Sequence, residues 1–207
     1  SVIVYTGASV EGEGMVRVTE GSWHIESLED KESRSFTSSI KLFDSFKSSI
    51  VLSGRTMWAS LVLNESSLET TAEAMFDSIV LAGEISTVTT TASFSVENFL
   101  CSSNGSILEA SAPFAGGSVV IDQCSFHFQS NTTIDKLVSR GGVVKLAGFA
   151  NLDGVICLDG CEVETLSVSE IHNLDHTSGI ISIAVNSSTV ITTTMLKGGI
   201  ISNFGWL

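Results

Sequence analysis

The chain carries one proline and one tyrosine in 207 residues, and only 16% of its residues are charged. Scarce charge argues against a helical protein, because the solvent faces of helices usually carry Lys and Glu. Basic residues are the rarest charged kind: 10 Lys and Arg stand against 23 Asp and Glu, for a net charge of −13. Nucleic-acid recognition begins with a basic footprint, so this balance argues against nucleic acid as a partner. Docking to an anionic membrane surface is disfavoured for the same reason. Long hydrophobic runs are missing too. The charge-free stretch from Thr177 to Leu196 is long enough to cross a bilayer, but half of it is Ser, Thr or Asn. A membrane-spanning segment needs predominantly apolar content at that length. No signal peptide opens the chain, which begins without Met and stops at Trp206-Leu207 inside a repeat-like phrase. Residues 1–207 therefore read as a single domain cut from a longer repetitive protein.

What is present is a 43% hydrophobic chain filled out with Ser, Thr, Gly and Asn. That mixture suits stacked strands. It also repeats. Gly117-Ser118-Val119-Val120-Ile121-Asp122-Gln123-Cys124 returns, 37 positions later, as Gly154-Val155-Ile156-Cys157-Leu158-Asp159-Gly160-Cys161. Ser49-Ile50-Val51-Leu52-Ser53-Gly54 is echoed by Ser78-Ile79-Val80-Leu81-Ala82-Gly83. Strand-like phrases opening on a small residue begin at 22, 49, 78, 106, 142, 179 and 199, in steps of 27, 29, 28, 36, 37 and 20. A repeat of short β-rich units reads as an array whose units bury their apolar faces on one another.

The expected fold is all-β: a right-handed parallel β-helix of six or seven coils, each with about three short strands. Variable steps would fall in one turn, placing long loops at 128–140 and 166–177. Val88, Val120 and Cys157 would form one inward row, and Ala92, Cys124, Cys161 and Leu196 another, with Phe94, Phe126 and Val163 beside it. An antiparallel sandwich is the competing fold, but Asn104-Gly105 is the single hairpin signal. The spacing of Leu68, Ala72, Met75 and Phe76 allows one short helix at 66–77.

Two kinds of phrase point to a family. Gly141-Gly142-Val143-Val144, Gly198-Gly199-Ile200-Ile201 and Phe128-Gln129-Ser130-Asn131 resemble the repeats of polymorphic outer-membrane proteins, and more widely of pectin-lyase-like surface β-helices. The resemblance covers about 45–201. Enzymes of that fold would show adjacent Asp pairs, a Gly-His-Gly phrase and an Arg-x-Lys phrase. None occurs here. The resemblance therefore implies architecture rather than a catalytic set.

Several residue groups could carry chemistry. Asp122 and Asp159 would stack in register, where two carboxylates can bind Ca²⁺ or share a proton, although turn positions suit Asp better. His172-Asn173-Leu174-Asp175-His176 offers two imidazoles and a carboxylate, but it lacks the Glu of zinc proteases and reads as a solvated turn. Cys124 and Cys161 would lie on adjacent coils, as a disulfide or as stacked buried thiols. Thr89-Thr90-Thr91 and Thr192-Thr193-Thr194 fit β-propensity better than an ice-binding array. Asn64, Asn104, Asn131 and Asn186 open Asn-x-Ser/Thr sequons, which suits a secreted glycoprotein. No residue is expected to be catalytic, to hold a cofactor or to ligate a metal.

The function expected is non-enzymatic: an extracellular or cell-surface rod, structural or adhesive, able to stack end to end into filaments. Its partners would be copies of itself, neighbouring coils or glycans. The alternative is a carbohydrate-active or carbohydrate-binding β-helix.

Overall fold

In a computed structural model of the chain, residues 2–5, 9–10, 15–26, 36–38, 42–184 and 187–203 are described. They form a parallel β-helix of about 8 turns with no helix among the described residues. Every strand pairing is parallel, which removes the antiparallel sandwich. One sheet stacks 11 strands, mostly of four or five residues, such as Ser67–Thr70 and Val143–Leu146. The other stacks mostly nine-residue strands, such as Ala74–Ala82 and Ala150–Leu158.

The coil is shorter than the phrase spacing predicts. Ser49, Ser67, Thr87, Ile107, Ser125, Val143, Glu162, Ile180 and Ile200 are successive partners, so the chain advances by 18–20 positions per coil. The echo at a distance of 37 is thus two coils. The echo of 49–54 at 78–83 joins different sheets, since Ser49 opens a short strand and Ser78 lies inside a long one. The loops expected at 128–140 and 166–177 are instead occupied by the strands Thr132–Arg140 and Val168–His176. The region 66–77 holds strand residues rather than a helix. In each case apolar alternation at the shorter period satisfies the backbone and buries one face.

Each long strand turns a corner in its middle. In Ala74–Ala82 the inward positions are Ala74 and Phe76, then Ile79 and Leu81, so alternation breaks between 76 and 79. The pairing skips Asp77 at the same place, and skips Glu97, Gly117, Asp135, Asp153 and His172 on later coils. A coil therefore has three facets, close to the three short strands expected, with two of them joined in one bent strand.

Side-chain volume is balanced across the first of these bent segments. One inward row reads Thr56, Ala74, Phe94, Phe114, Thr132, and its neighbour two residues on reads Trp58, Phe76, Val96, Gly116, Ile134. Large residues in one row face small ones in the other, which keeps a narrow interior filled. Successive rings from Trp23 through Phe43, Trp58, Phe76, Phe94 and Phe114 to Phe128 lie 4.6–5.8 Å apart. The inward rows expected from sequence are redistributed. Val88 shares its row with Phe126 and Val163, Val120 points outward, Ala92 lies in a turn, and Phe94 belongs to the other sheet.

One corner is built alike on most coils. A residue in the left-handed region precedes it: Lys47 (φ 47°), Glu65 (φ 51°), Gly105 (φ 84°), Gln123 (φ 59°), Gly141 (φ 58°) and Gly160 (φ 80°). The next residue is small and buried, and serines there form a ladder. Ser48 N–H donates to Ser66 Oγ at 3.1 Å, Ser66 N–H to Ser86 Oγ at 3.2 Å, and Ser86 N–H to Ser106 Oγ at 2.8 Å. These bonds satisfy amides that the turn withdraws from the strand ladder. Further along, the same row passes through Cys124, Gly142, Cys161 and Gly179.

Candidate interaction surfaces

Two outward surfaces follow from this frame. On the short strands, the row Glu69, Thr89, Glu109, His127, Lys145, Glu164 mixes both signs. Lys145 Nζ lies 3.2 Å from Glu164, and His127 Nδ1 lies 4.0 Å from Glu109. Such exposed pairs contribute at most about 1 kcal/mol each, and here they favour the correct register.

The corner inside the long strands carries the skipped residues Asp77, Glu97, Gly117, Asp135, Asp153 and His172 as a largely acidic edge. Gly117 is required by its neighbour: a Cβ there would sit 2.6 Å from the Glu97 carbonyl oxygen. Beside the edge, Asn98 Nδ2 donates to Asp77 O at 3.4 Å and Asn173 Nδ2 to Asp153 O at 3.1 Å, tying each coil to the one before. Where Gly154 lacks a side chain, a shallow depression of about 370 Å³ opens between Lys136, Asp135, Asp153, Asn173 and Asp175. Among the described residues, no group of three or more His, Cys, Asp or Glu side chains is arranged to hold a metal ion.

The expected site residues do not converge. Asp122 ends the strand Phe114–Asp122 and partners Arg140, which in turn partners Leu158. Asp159 is one residue further on, exposed and left-handed (φ 51°), because that corner has one more residue than the corner at Gln123. The two carboxylates are therefore two coils apart and out of register, with neither pointing inward. His172 to His176 belong to the strand Val168–His176 rather than to a turn. His172 stands at the outer corner. His176 is fully buried, and neither ring nitrogen has a hydrogen-bond partner among the described residues. It continues the inward row of Cys157, with Gly199 against its ring, where a Cβ would come within 2.6 Å of Nε2.

The cysteines pair differently from the expectation. Cys101 bonds Cys124, with Cα atoms 6.4 Å apart, and Cys157 bonds Cys161, with Cα atoms 5.6 Å apart. Cys124 and Cys161 do share a row, but Gly142 stands between them. Two coil spacings are about 9.6 Å, beyond the reach of a disulfide. All four cysteines are buried, as small core residues should be. Of the sequons, Asn104 and Asn131 are exposed in turns, and Asn64 ends a strand with its amide over Gly83. Asn186 lies outside the described residues, as does Trp206. Of the threonine runs, Thr90 is buried and Thr89 faces outward, while 192–194 are exposed on the strand Ser188–Leu196.

Neither the serine ladder nor the buried imidazole is among the sequence expectations. The ladder's signal in the sequence is a small residue recurring every 18–20 positions, visible only once that period is known. Compared with known proteins, the chain matches no family model, no curated protein and no solved structure.

Proposed function

We propose that the chain is a non-enzymatic structural or adhesive rod that works outside the cell or at its surface. The observation that carries this reading is the ladder itself: each face is a stack of equivalent positions on successive coils, with turns recurring every 18–20 positions. Two disulfides suit an oxidising compartment, and the exposed Asn104 and Asn131 suit glycosylation. Stacking on a further layer is supported at the last described coil, where Thr194 and Leu196 continue the inward rows of the buried Leu174 and His176 yet are exposed. Another coil or another copy laid on those strands would cover them and pair their backbone edges. Kinship with pectin-lyase-like surface proteins belongs to the same proposal. It is supported by Gly142 and Gly199 occupying one row of the corner, so that both Gly-Gly-aliphatic phrases fall at the same place on the coil.

Negative-stain electron microscopy of the native protein tests the reading, with rods or end-to-end fibres expected. A second reading, glycan binding or cleavage, is favoured by the carboxylate-edged depression around Gly154. It would displace the first if a polysaccharide panel showed cleavage that Asp135→Asn and Asp153→Asn together abolish.

A further inference from the structure

The serine ladder accounts for two of the sequons among the described residues. Ser66 and Ser106, which complete the sequons of Asn64 and Asn104, are buried ladder serines, and the residues before them, Glu65 and Gly105, hold the left-handed turn. The corner needs those serines whatever stands two positions earlier. Asn131-Thr132-Thr133 is different. It stands where the chain leaves the short strand Ser125–Phe128 and enters the long strand Thr132–Arg140, away from the ladder. Asn131 and Thr133 are both exposed there.

Next to Asn131 along the stack lies an apolar patch. Thr132 N–H donates to Phe149 O at 2.8 Å, so the turns carrying Asn131 and Phe149 are paired on consecutive coils. The two turns touch, because Gly148 has no room for a side chain against the Ser130 carbonyl. Val168 takes the same turn position one coil further on, with Leu166 two residues before it. Phe149, Leu166 and Val168 are 40%, 42% and 46% exposed. On earlier coils that position holds Glu73, Ser93 and Pro113. No charged residue occurs in the turns 129–131, 147–149 and 166–168. Along the stack, Phe149 stands about 4.8 Å from Asn131 and Val168 about 9.6 Å.

We propose that Asn131 carries an N-linked glycan whose first sugars lie along the stack on Phe149, Leu166 and Val168. The inference rests on the extracellular reading above. Asn131 Nδ2 displaces the diphosphate of a lipid-linked oligosaccharide: the Nδ2–C1 bond forms, the bond from C1 to the phosphate oxygen breaks, and one Nδ2 proton leaves with the diphosphate. A pyranose ring has an apolar C–H face. Laid on the Phe149 ring, that face gains dispersion contacts and removes apolar area from water, while the sugar hydroxyls stay hydrated. Three side chains are too small an area for a free protein partner, since a stable interface buries roughly 800 Å² on each side. A tethered sugar needs no such area, because its effective concentration at the patch is on the order of millimolar.

Glycopeptide mass spectrometry of the native full chain reads occupancy, and an N-acetylhexosamine core on Asn131 is the expected result. Asn131 bare beside an occupied Asn104 or Asn186 overturns the proposal and leaves the extracellular reading standing. Sequons bare throughout overturn the proposal together with the glycoprotein part of that reading. Packing is tested by melting the full chain and its Phe149→Ser variant, both secreted from the same eukaryotic cells, before and after enzymatic removal of N-glycans. Removal should lower the midpoint by ~2–4 °C more in the native sequence than in Phe149→Ser, with glycans at other sequons cancelling in the difference. Equal shifts in the two proteins, with Asn131 occupied in both, overturn the packing on Phe149.

Discussion

Gly116 and Phe114 offer a direct probe of how the narrow core is filled. Gly116 occupies the row that holds Trp58 and Phe76 on earlier coils, and the Phe114 ring fills the space its missing side chain leaves. A methyl at Gly116 would come within 2.7 Å of Val119 Cγ2 and 2.9 Å of Phe114 Cε1. Gly116→Ala should therefore cost ~1–3 kcal/mol through overpacking, despite the better strand propensity of Ala. Phe114→Leu alone removes part of a ring that is 2% exposed and should cost ~1–2 kcal/mol. The double variant puts the methyl where the ring edge was, so its cost should fall short of the sum by about 1 kcal/mol or more. Urea unfolding of the four proteins, followed by tryptophan fluorescence and analysed as a double-mutant cycle, gives the coupling. Additivity within ~0.5 kcal/mol would refute the idea that the two rows exchange volume.

Other consequences are as specific. Ser66→Ala leaves the buried Ser48 N–H without its acceptor and should cost ~1–3 kcal/mol, measured by the shift in urea midpoint. Gln123 holds a left-handed conformation (φ 59°) where other coils use Gly, so Gln123→Gly should raise stability by ~0.5–1 kcal/mol in thermal melts. Removing the Cys101–Cys124 bond, whose partners are 23 apart in sequence, should cost ~3 kcal/mol, against ~2 kcal/mol for Cys157–Cys161, whose partners are 4 apart. Paired Cys→Ser variants compared in urea would show whether the order holds. Replacing the buried His176 by Leu removes two unpartnered nitrogens and should be neutral or stabilising by ~1 kcal/mol, read by hydrogen exchange in the strands beside it.

The class of fold was legible because two features survive degeneracy: an internal echo, and β-branched alternation without charge. The coil length was not. The strongest echo, around Cys124 and Cys161, joins every second coil, because Gly142 breaks the match on the coil between. A doubled period makes the strands Thr132–Arg140 and Val168–His176 look like loops, since their Asn and Asp residues resemble turn formers. Asp135 sits on the outer corner of its bent strand, where alternation fails, while Asn173 and Asp175 follow the corner at His172 on positions that need not point inward, and polar side chains are tolerated at all three. The cysteine pairing was unreadable for the same reason, since it depends on the short register and on an extra residue at Asp159-Gly160. The aliphatic row of Val62, Val80, Leu100, Val120, Val138 and Ile156 is likewise invisible along the chain. Its members stand a full coil apart, and each looks like an ordinary strand residue.

Every assignment of rows, faces and partners depends on a coil that advances 18–20 positions, and one distance tests it most directly. Glu69 and Glu164 share an outward row five coil steps apart. Spin labels on cysteines introduced at both positions, with the native cysteines remaining in their disulfides, report that separation by pulsed electron paramagnetic resonance. Five steps of about 4.8 Å predict a mean near 24 Å. A mean of about 14 Å, the value for three steps of a longer coil, would contradict the register and every row built on it.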